Sequence, residues 1–287
     1  MAYTGTDVFV RLERFYDAVP RDAAVAENIG GFVLFVREGA GWPYYARPRL
    51  GAETPSAADV TAVRQRQREL GVSEAFEWVH ETTPDLLAVA RSAGLDVLLA
   101  PLMVLEHAAL VPDLPLAGAT VRFLDPASPT FPADLFASRA VAGLGFGTPA
   151  TVLPGDGRLG TDVAGPRERD AAPPLTDEEV AAQRRRYASG RFTGGVVESP
   201  ADGILASGMT QRVGDIAEIA GVATLPAARK RGYASQLTAS LARRALSDGA
   251  ELIFLSAGDD DVARLYSKVG FRRVGTACIA EPAAAPL

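Results

Sequence analysis

The scarcest residues narrow the chemistry first. The 287-residue chain has one cysteine, Cys278, which excludes an intrachain disulfide and makes a reducing cytoplasm the expected compartment. Two histidines, His80 and His107, are too few with that cysteine for a His/Cys metal centre, and no metal is expected. No apolar run reaches the roughly 18 residues of a membrane span, and charges break up the first residues too early for a secretory signal. Basic residues (29) are fewer than acidic ones (35). The net charge of −6 offers no global basis for a nucleic-acid partner.

What is present suffices for a folded core. The chain is 48% hydrophobic and long enough for one large domain or two ordinary ones. In the first half, a helix is expected around Arg11–Tyr16 and strands at Gly31–Glu38 and Trp42–Leu50. A polar helix capped by Ser56 follows, then the strand "EAFEWV", a helix with Pro84 in its first turn, and the strand "LDVLLAPLMVL". A linker is expected over residues 108–118.

The second half opens with the strand "ATVRFLDP" and the helix "PADLFASRAVAGL". Residues 148–174, rich in Gly, Pro and Asp, read as an irregular insertion. The helix "LTDEEVAAQRRRYASG" has Thr176 and Glu179 spaced as a capping box, with Gly190 at its end. Its Arg184, Arg185 and Arg186 read as a solvated face. Three strands, a long helix, a strand, a helix and a final strand, "FRRVGTACIA", complete the chain. The two halves end alike. With Gly94 set against Gly270, Ala90 falls opposite Tyr266, which suggests a tandem repeat.

The stretch "VATLPAARKRGYA" is the most informative. Arg229, Lys230 and Arg231 crowd the start of a helix, where cations oppose the dipole. Free helix N–H groups attract anions, and Gly232 permits a tight turn. Cations here are favourable around a bound polyphosphate. By themselves the residues fit a solvated basic turn equally well.

The second half resembles the GNAT superfamily of acyl-CoA-dependent N-acyltransferases. "VATLPAARKRGYA" matches V-x-x-x-P-x-x-R/Q-x-x-G-x-G/A, and "DDDVARLYSKVGF" matches L-Y-x-x-x-G-F, in the family's order. The resemblance covers about Ala119 to Ala280. It implies an α+β fold of two GNAT-like lobes, each a mostly antiparallel mixed sheet flanked by helices. Residues 1–107 would be a degenerate copy, and 119–287 the acetyltransferase domain.

The resemblance also implies roles. The N–H groups of Arg229, Lys230, Arg231, Gly232, Tyr233 and Ala234 would cradle the pyrophosphate of acetyl-CoA, the co-substrate. Val222, Ala223 and Thr224 would pair with its pantetheine arm. Tyr266 would be the general acid at the leaving thiolate and Glu218 the general base for the amine. Asp259 stands where the family often has Asn; a carboxylate only accepts hydrogen bonds, which puts that pantetheine contact in doubt. The acceptor is expected to be a primary amine of a small molecule, ahead of a peptide or protein, in a monomer or homodimer. Two other readings stay open: a non-catalytic acyl-CoA sensor, and transfer of a larger acyl group such as succinyl.

Overall fold

The computed structural model describes residues 5–39, 44–113, 115–147 and 163–283. Along the chain these are α1 (Gly5–Ala18), β1 (Ala24–Ile29), β2 (Phe32–Arg37), β3 (Arg47–Pro48), α2 (Ala57–Leu70), β4 (Phe76–Val79), α3 (Leu86–Ser92) and β5 (Leu95–Leu105). Then come β6 (Thr120–Phe123), α4 (Phe131–Phe146), α5 (Pro166–Asp170), α6 (Asp177–Ala188), β7 (Phe192–Ser199), β8 (Gly203–Val213) and β9 (Ile216–Thr224). The last are α7 (Tyr233–Ser247), β10 (Leu252–Ser256), α8 (Asp260–Val269) and β11 (Phe271–Pro282). The result is a mixed α/β fold of two compact units. One gathers the residues up to 103, 256–263 and those from 273 on. The other gathers 104–255 and 264–272.

In the first unit, β1, β2 and β3 form an antiparallel sheet, with Ala24 opposite Arg37 and Phe32 opposite Pro48. β3 meets β4 through a parallel bridge, Ala46 to Phe76, where the Ala46 N–H donates to Ala75 and the Glu77 N–H donates to Ala46. β4 is antiparallel to β11, with Trp78 opposite Cys278. Phe32, Leu34, Val60, Val63, Phe76, Trp78, Leu86 and Cys278 share one core. Burial there pushes the Cys278 thiol up to about 12 and leaves it an inert apolar group. Arg47 is held 2.6 Å from Glu77 and 3.6 Å from Glu13, over the Tyr16 ring.

Several sequence expectations change here. β1 is a strand although "AVAENI" lacks β-branched alternation; its ladder with β2 supplies what propensity does not. Within Trp42–Leu50, only Arg47–Pro48 is strand, because Pro48 has no N–H for a longer ladder. Residues 40–43 lie outside the described residues. α3 starts at Leu86, so Pro84 stands before the helix rather than in its first turn. The final strand, read as part of the second half, takes its register from β4 of the first.

In the second unit the strands run β10, β9, β8, β7, β6. All neighbours are antiparallel except β9 and β10. α7 packs on β7, β8 and β9, and α4 on β8 and β9. An added Cβ at Gly195 would lie 2.9 Å from Leu237, so a glycine in β7 lets α7 approach. α6 begins with the expected reciprocal cap: Thr176 Oγ accepts from the Glu179 N–H, and Glu179 accepts from the Thr176 N–H. Its arginines do not form a solvated face. Arg184 lies over the Phe131 ring and Arg186 over the Phe192 ring, because long guanidinium stems cover aromatic surface; Arg185 is the exposed one. Of the expected insertion, 148–162 lie outside the described residues, and 163–174 contain α5.

The segment after β5 is pinned to this unit. The Glu106 N–H donates to Gly270 and the Val111 N–H to Val269. Asp113 accepts from Gln236 and Arg243 of α7. Gly270 is positive in φ (+120°), and a Cβ there would sit 2.6 Å from the Ala109 carbonyl oxygen. The glycine of the L-Y-x-x-x-G-F motif is therefore required by packing. Gly270→Ala is expected to cost about 2 kcal/mol or more, read as a lowered urea midpoint. Gly249→Ala, also at positive φ (+92°) but with only the tip of the Arg212 side chain in ordinary contact at 3.9 Å, should cost only about 1 kcal/mol.

Candidate active site

Two irregularities in β9 build the site. Its register with β8 runs from Ile216 opposite Val213 to Ala220 opposite Met209, then resumes at Ala223 opposite Ser207. Gly221 and Val222 thus face Gly208 alone, as a β-bulge. Gly221 takes φ +64°, and a Cβ on Gly208 would come within 3.0 Å of Val222. On the other side, the parallel register with β10 consists of Ile216–Leu252, Ala217–Ile253 and Glu218–Phe254. Past Glu218 the two strands part, and residues 219–224 of β9 run on without a β10 partner. Sequence reasoning missed this bulge; the glycine inside "IAGVAT" is the signal that could have found it.

β9 ends where the Leu225 N–H donates to Leu205, and a 3-10 turn covers Pro226–Ala228. Lys230 then adopts φ +64°, the left-handed region that side chains disfavour, and Gly232 follows at φ +79° as the N-cap of α7. Among the described residues, no side chain caps α7. Its first helical hydrogen bond reaches from Gln236 back to Gly232, so the N–H groups ahead of Gln236 point out of the helix end without helical acceptors. Lys230 and Arg231 are exposed beside them. Arg229 is different. Its Nη2 donates to the Gly145 carbonyl at 2.7 Å, at the end of α4, and burial lowers its pKa. Its guanidinium ties α4 to the loop. Tyr233 is buried and Ala234 half-buried, so these two offer backbone rather than side chain.

Ala223 and Thr224 lie against α4, where a Cβ on Gly145 would meet Ala223 at 2.9 Å. The Thr224 hydroxyl is buried with no partner among the described residues. Glu218 is 9% exposed on the last rung shared with β10. Directly across β8, Gln211 Nε2 donates to Glu218 Oε2. That partner escaped sequence reasoning, because only the antiparallel register joins positions seven residues apart. Tyr266 lies on the buried stripe of α8, edge-on to Phe271 with ring centroids 6.3 Å apart, and burial pushes its phenol up to about 12. Asp259 falls in the first unit, where its Oδ1 accepts from the Val262 N–H and caps α8.

The arrangement pairs an unpaired strand edge with an open helix N-terminus, and it carries a buried carboxylate and a protonated phenol in the same unit. Residues 194–279 match the family model described as FR47-like protein, a GNAT-type domain. This segment is a GNAT-type domain. No curated protein sequence matches the chain. Among solved structures, a GCN5-related N-acetyltransferase from Kribbella flavida is 20% identical, with a TM-score of 0.69 over 96% of both chains. A tandem GNAT protein from the clavulanic acid biosynthesis pathway is 14% identical, with a TM-score of 0.52 over 90% of this chain and 80% of its own. A functionally unknown conserved protein from Staphylococcus epidermidis is 12% identical, with a TM-score of 0.51 over 98% of both chains. At these identities the likeness is one of fold.

Among the described residues, no helix is long and apolar enough to cross a membrane, and no group of three or more His, Cys, Asp or Glu could hold a metal. The raised phenol of the GNAT-type domain has a measurable consequence. Folding favours protonated Tyr266, so this contribution to stability is complete below pH ~10, the unfolded value. It is lost as pH rises towards 12. Absorbance titration of wild type against Tyr266→Phe should show one tyrosine fewer ionising near pH 12 in the variant. The unfolding midpoint of the variant should fall less steeply above pH 10.

Proposed function

We propose that this protein transfers an acetyl group from acetyl-CoA to a primary amine of a small molecule, by direct attack in a ternary complex. The observation that carries this reading is the parting of β9 and β10 beside the uncapped start of α7. We assign the acyltransferase domain to residues 119–287 and read 1–107 as a degenerate copy.

The residues fit the co-substrate. The N–H groups from Lys230 to Ala234 would hold the pyrophosphate, with Lys230 and Arg231 adding charge from the surface; the Arg229 N–H, expected to join them, is taken by the Pro226 carbonyl. The free edge of β9 at Val222, Ala223 and Thr224 would pair with the amides of the pantetheine arm. One N–H there would polarise the thioester carbonyl. Bound acetyl-CoA supplies a thioester carbon open to attack by a neutral amine.

An alkyl amine with pKa near ~10 is mostly protonated at neutral pH and must lose a proton first. Glu218 is the group assigned to take it, directly or through water, with Gln211 fixing one carboxylate oxygen. At the other end, the leaving thiolate has a parent pKa near ~8.5. Full proton transfer from a phenol near 12 would be uphill by about 5 kcal/mol. Tyr266 therefore serves first as a hydrogen-bond donor to the developing thiolate. Its burial guarantees that the proton is there to donate. The lone, inert thiol of Cys278 agrees with a reducing, cytoplasmic setting.

Thiol release from acetyl-CoA across a panel of small-molecule amines tests the reaction. Acceptor-dependent release is expected, and coenzyme A binding with no release for any amine would overturn it. Tyr266→Phe should lower kcat by roughly 10²–10³-fold, the cost of one oxyanion-type donor, with acetyl-CoA affinity retained; unchanged turnover would remove Tyr266 from the mechanism. Glu218→Gln should abolish the acid limb of the pH–rate profile. A wild-type profile in that variant would assign the proton to another group.

A further inference from the structure

The first unit repeats the architectural step that makes the cleft in the second. Among the described residues, β3 and β4 are parallel neighbours that share one backbone bridge, Ala46 to Phe76, and they part beyond it. β3 turns to pair with β2, while β4 leads into the loop before α3. Crevices beyond the carboxyl ends of separating parallel strands are where open sheets take ligands. A cavity of about 360 Å³ lies at that place, bounded by the loop after β3, the loop after β4 and one face of α1.

The phosphate-binding part is closed. Ser56 and Asp59 cap α2 reciprocally: the Asp59 N–H donates to Ser56 Oγ, and the Asp59 carboxylate accepts from the Ser56 N–H. The Ser56 N–H first, then the Ser56 hydroxyl, the Gly31 N–H and the Arg49 charge, hold the Asp59 carboxyl below its ordinary range, so it stays charged. A Cβ on Gly30 would fall 1.7 Å from Asp59 Oδ1, so glycine is required there to seat the carboxylate. The chain's own anion fills the spot a pyrophosphate would need and repels another.

The cavity nevertheless has a defined character. Val10 and Leu50 line it and are two of the large hydrophobic side chains the fold leaves exposed, at 42% and 48%. Arg14 and Arg49 also line it, and among the described residues neither guanidinium has a hydrogen bond or ion pair. The carboxylate on the floor, Glu13, is already engaged by the Val79 N–H, the Thr82 hydroxyl and Arg47. Glu53 is an exposed lining residue. Arg14 and Arg49, the latter also within electrostatic reach of Asp59, stand beside uncovered apolar side chains and suit an anion with a hydrophobic body.

We infer that the first unit is a second binding site, for a small organic carboxylate with an apolar tail, and that it does not take coenzyme A. This holds whether or not the GNAT-type domain is catalytic. The test uses the full chain and hexanoate as the probe, with hexanol and hexylamine as controls, by ligand-observed NMR titration. Hexanoate should bind, and both controls should bind at least tenfold more weakly. Arg14→Ala/Arg49→Ala should weaken hexanoate about 10–100-fold, the value of charge-assisted hydrogen bonds. Both arginines are exposed, so the variant should unfold at the wild-type temperature. Saturating coenzyme A should leave the hexanoate signal unchanged. Equal binding of hexanoate and hexanol, unaltered affinity in the double variant, or displacement by coenzyme A would each overturn the inference.

Discussion

The second unit depends on the parting of two parallel strands. β9 and β10 share three rungs and separate after Glu218. Backbone N–H and C=O groups freed this way must find partners, and a strand edge in a cleft keeps them available to a ligand. The bulge at Gly221 and Val222 adds a residue to β9 and bends it. Gly208 leaves room for Val222, and Gly145 lets α4 press against Ala223. The bent strand then delivers the chain into α7 through Lys230 and Gly232, both in the left-handed region. Among the described residues no side chain caps the helix, so its first donors stay open.

The same separation in the first unit ends differently. β3 and β4 part after one bridge, but α2 opens with its own serine–aspartate box. A carboxylate of the chain occupies the helix end that phosphate would need. That occupation is electrostatic and local, and it leaves the crevice and its two arginines in place. One structural step thus underlies both the proposed polyanion site in one unit and the inferred smaller, partly apolar site in the other.

The buried polar groups divide the remaining work. Glu218 is held across the sheet by Gln211. Tyr266 is packed beside Phe271, where burial keeps its proton on. The segment from Glu106 to Asp113 ties α8 to α7 through Gly270, Val269, Gln236 and Arg243. The two GNAT motifs lie more than 30 residues apart in sequence, and this strap joins the elements that carry them. Arg229, one of the three cations that drew attention in the sequence, belongs to the same scaffolding, since its side chain serves α4.

The sequence by itself determined the features that depend on local chemistry. Caps at Ser56 and Thr176, the helical stripe of Val262, Leu265, Tyr266 and Val269, the glycine before α7 and the cluster of cations all follow from neighbours within a few residues. Most of the order of strands and helices was legible for the same reason, β1 and α5 excepted. Tertiary structure alone decided what rests on pairing at long range. It put β11 beside β4 rather than leaving it with its own half, and made β1 a strand against its propensity. It set Gln211 opposite Glu218, turned Arg184 and Arg186 onto aromatic rings, and placed Arg14 beside Arg49 in one cavity. Register and packing join residues tens of positions apart, and no local pattern encodes which pairs will meet.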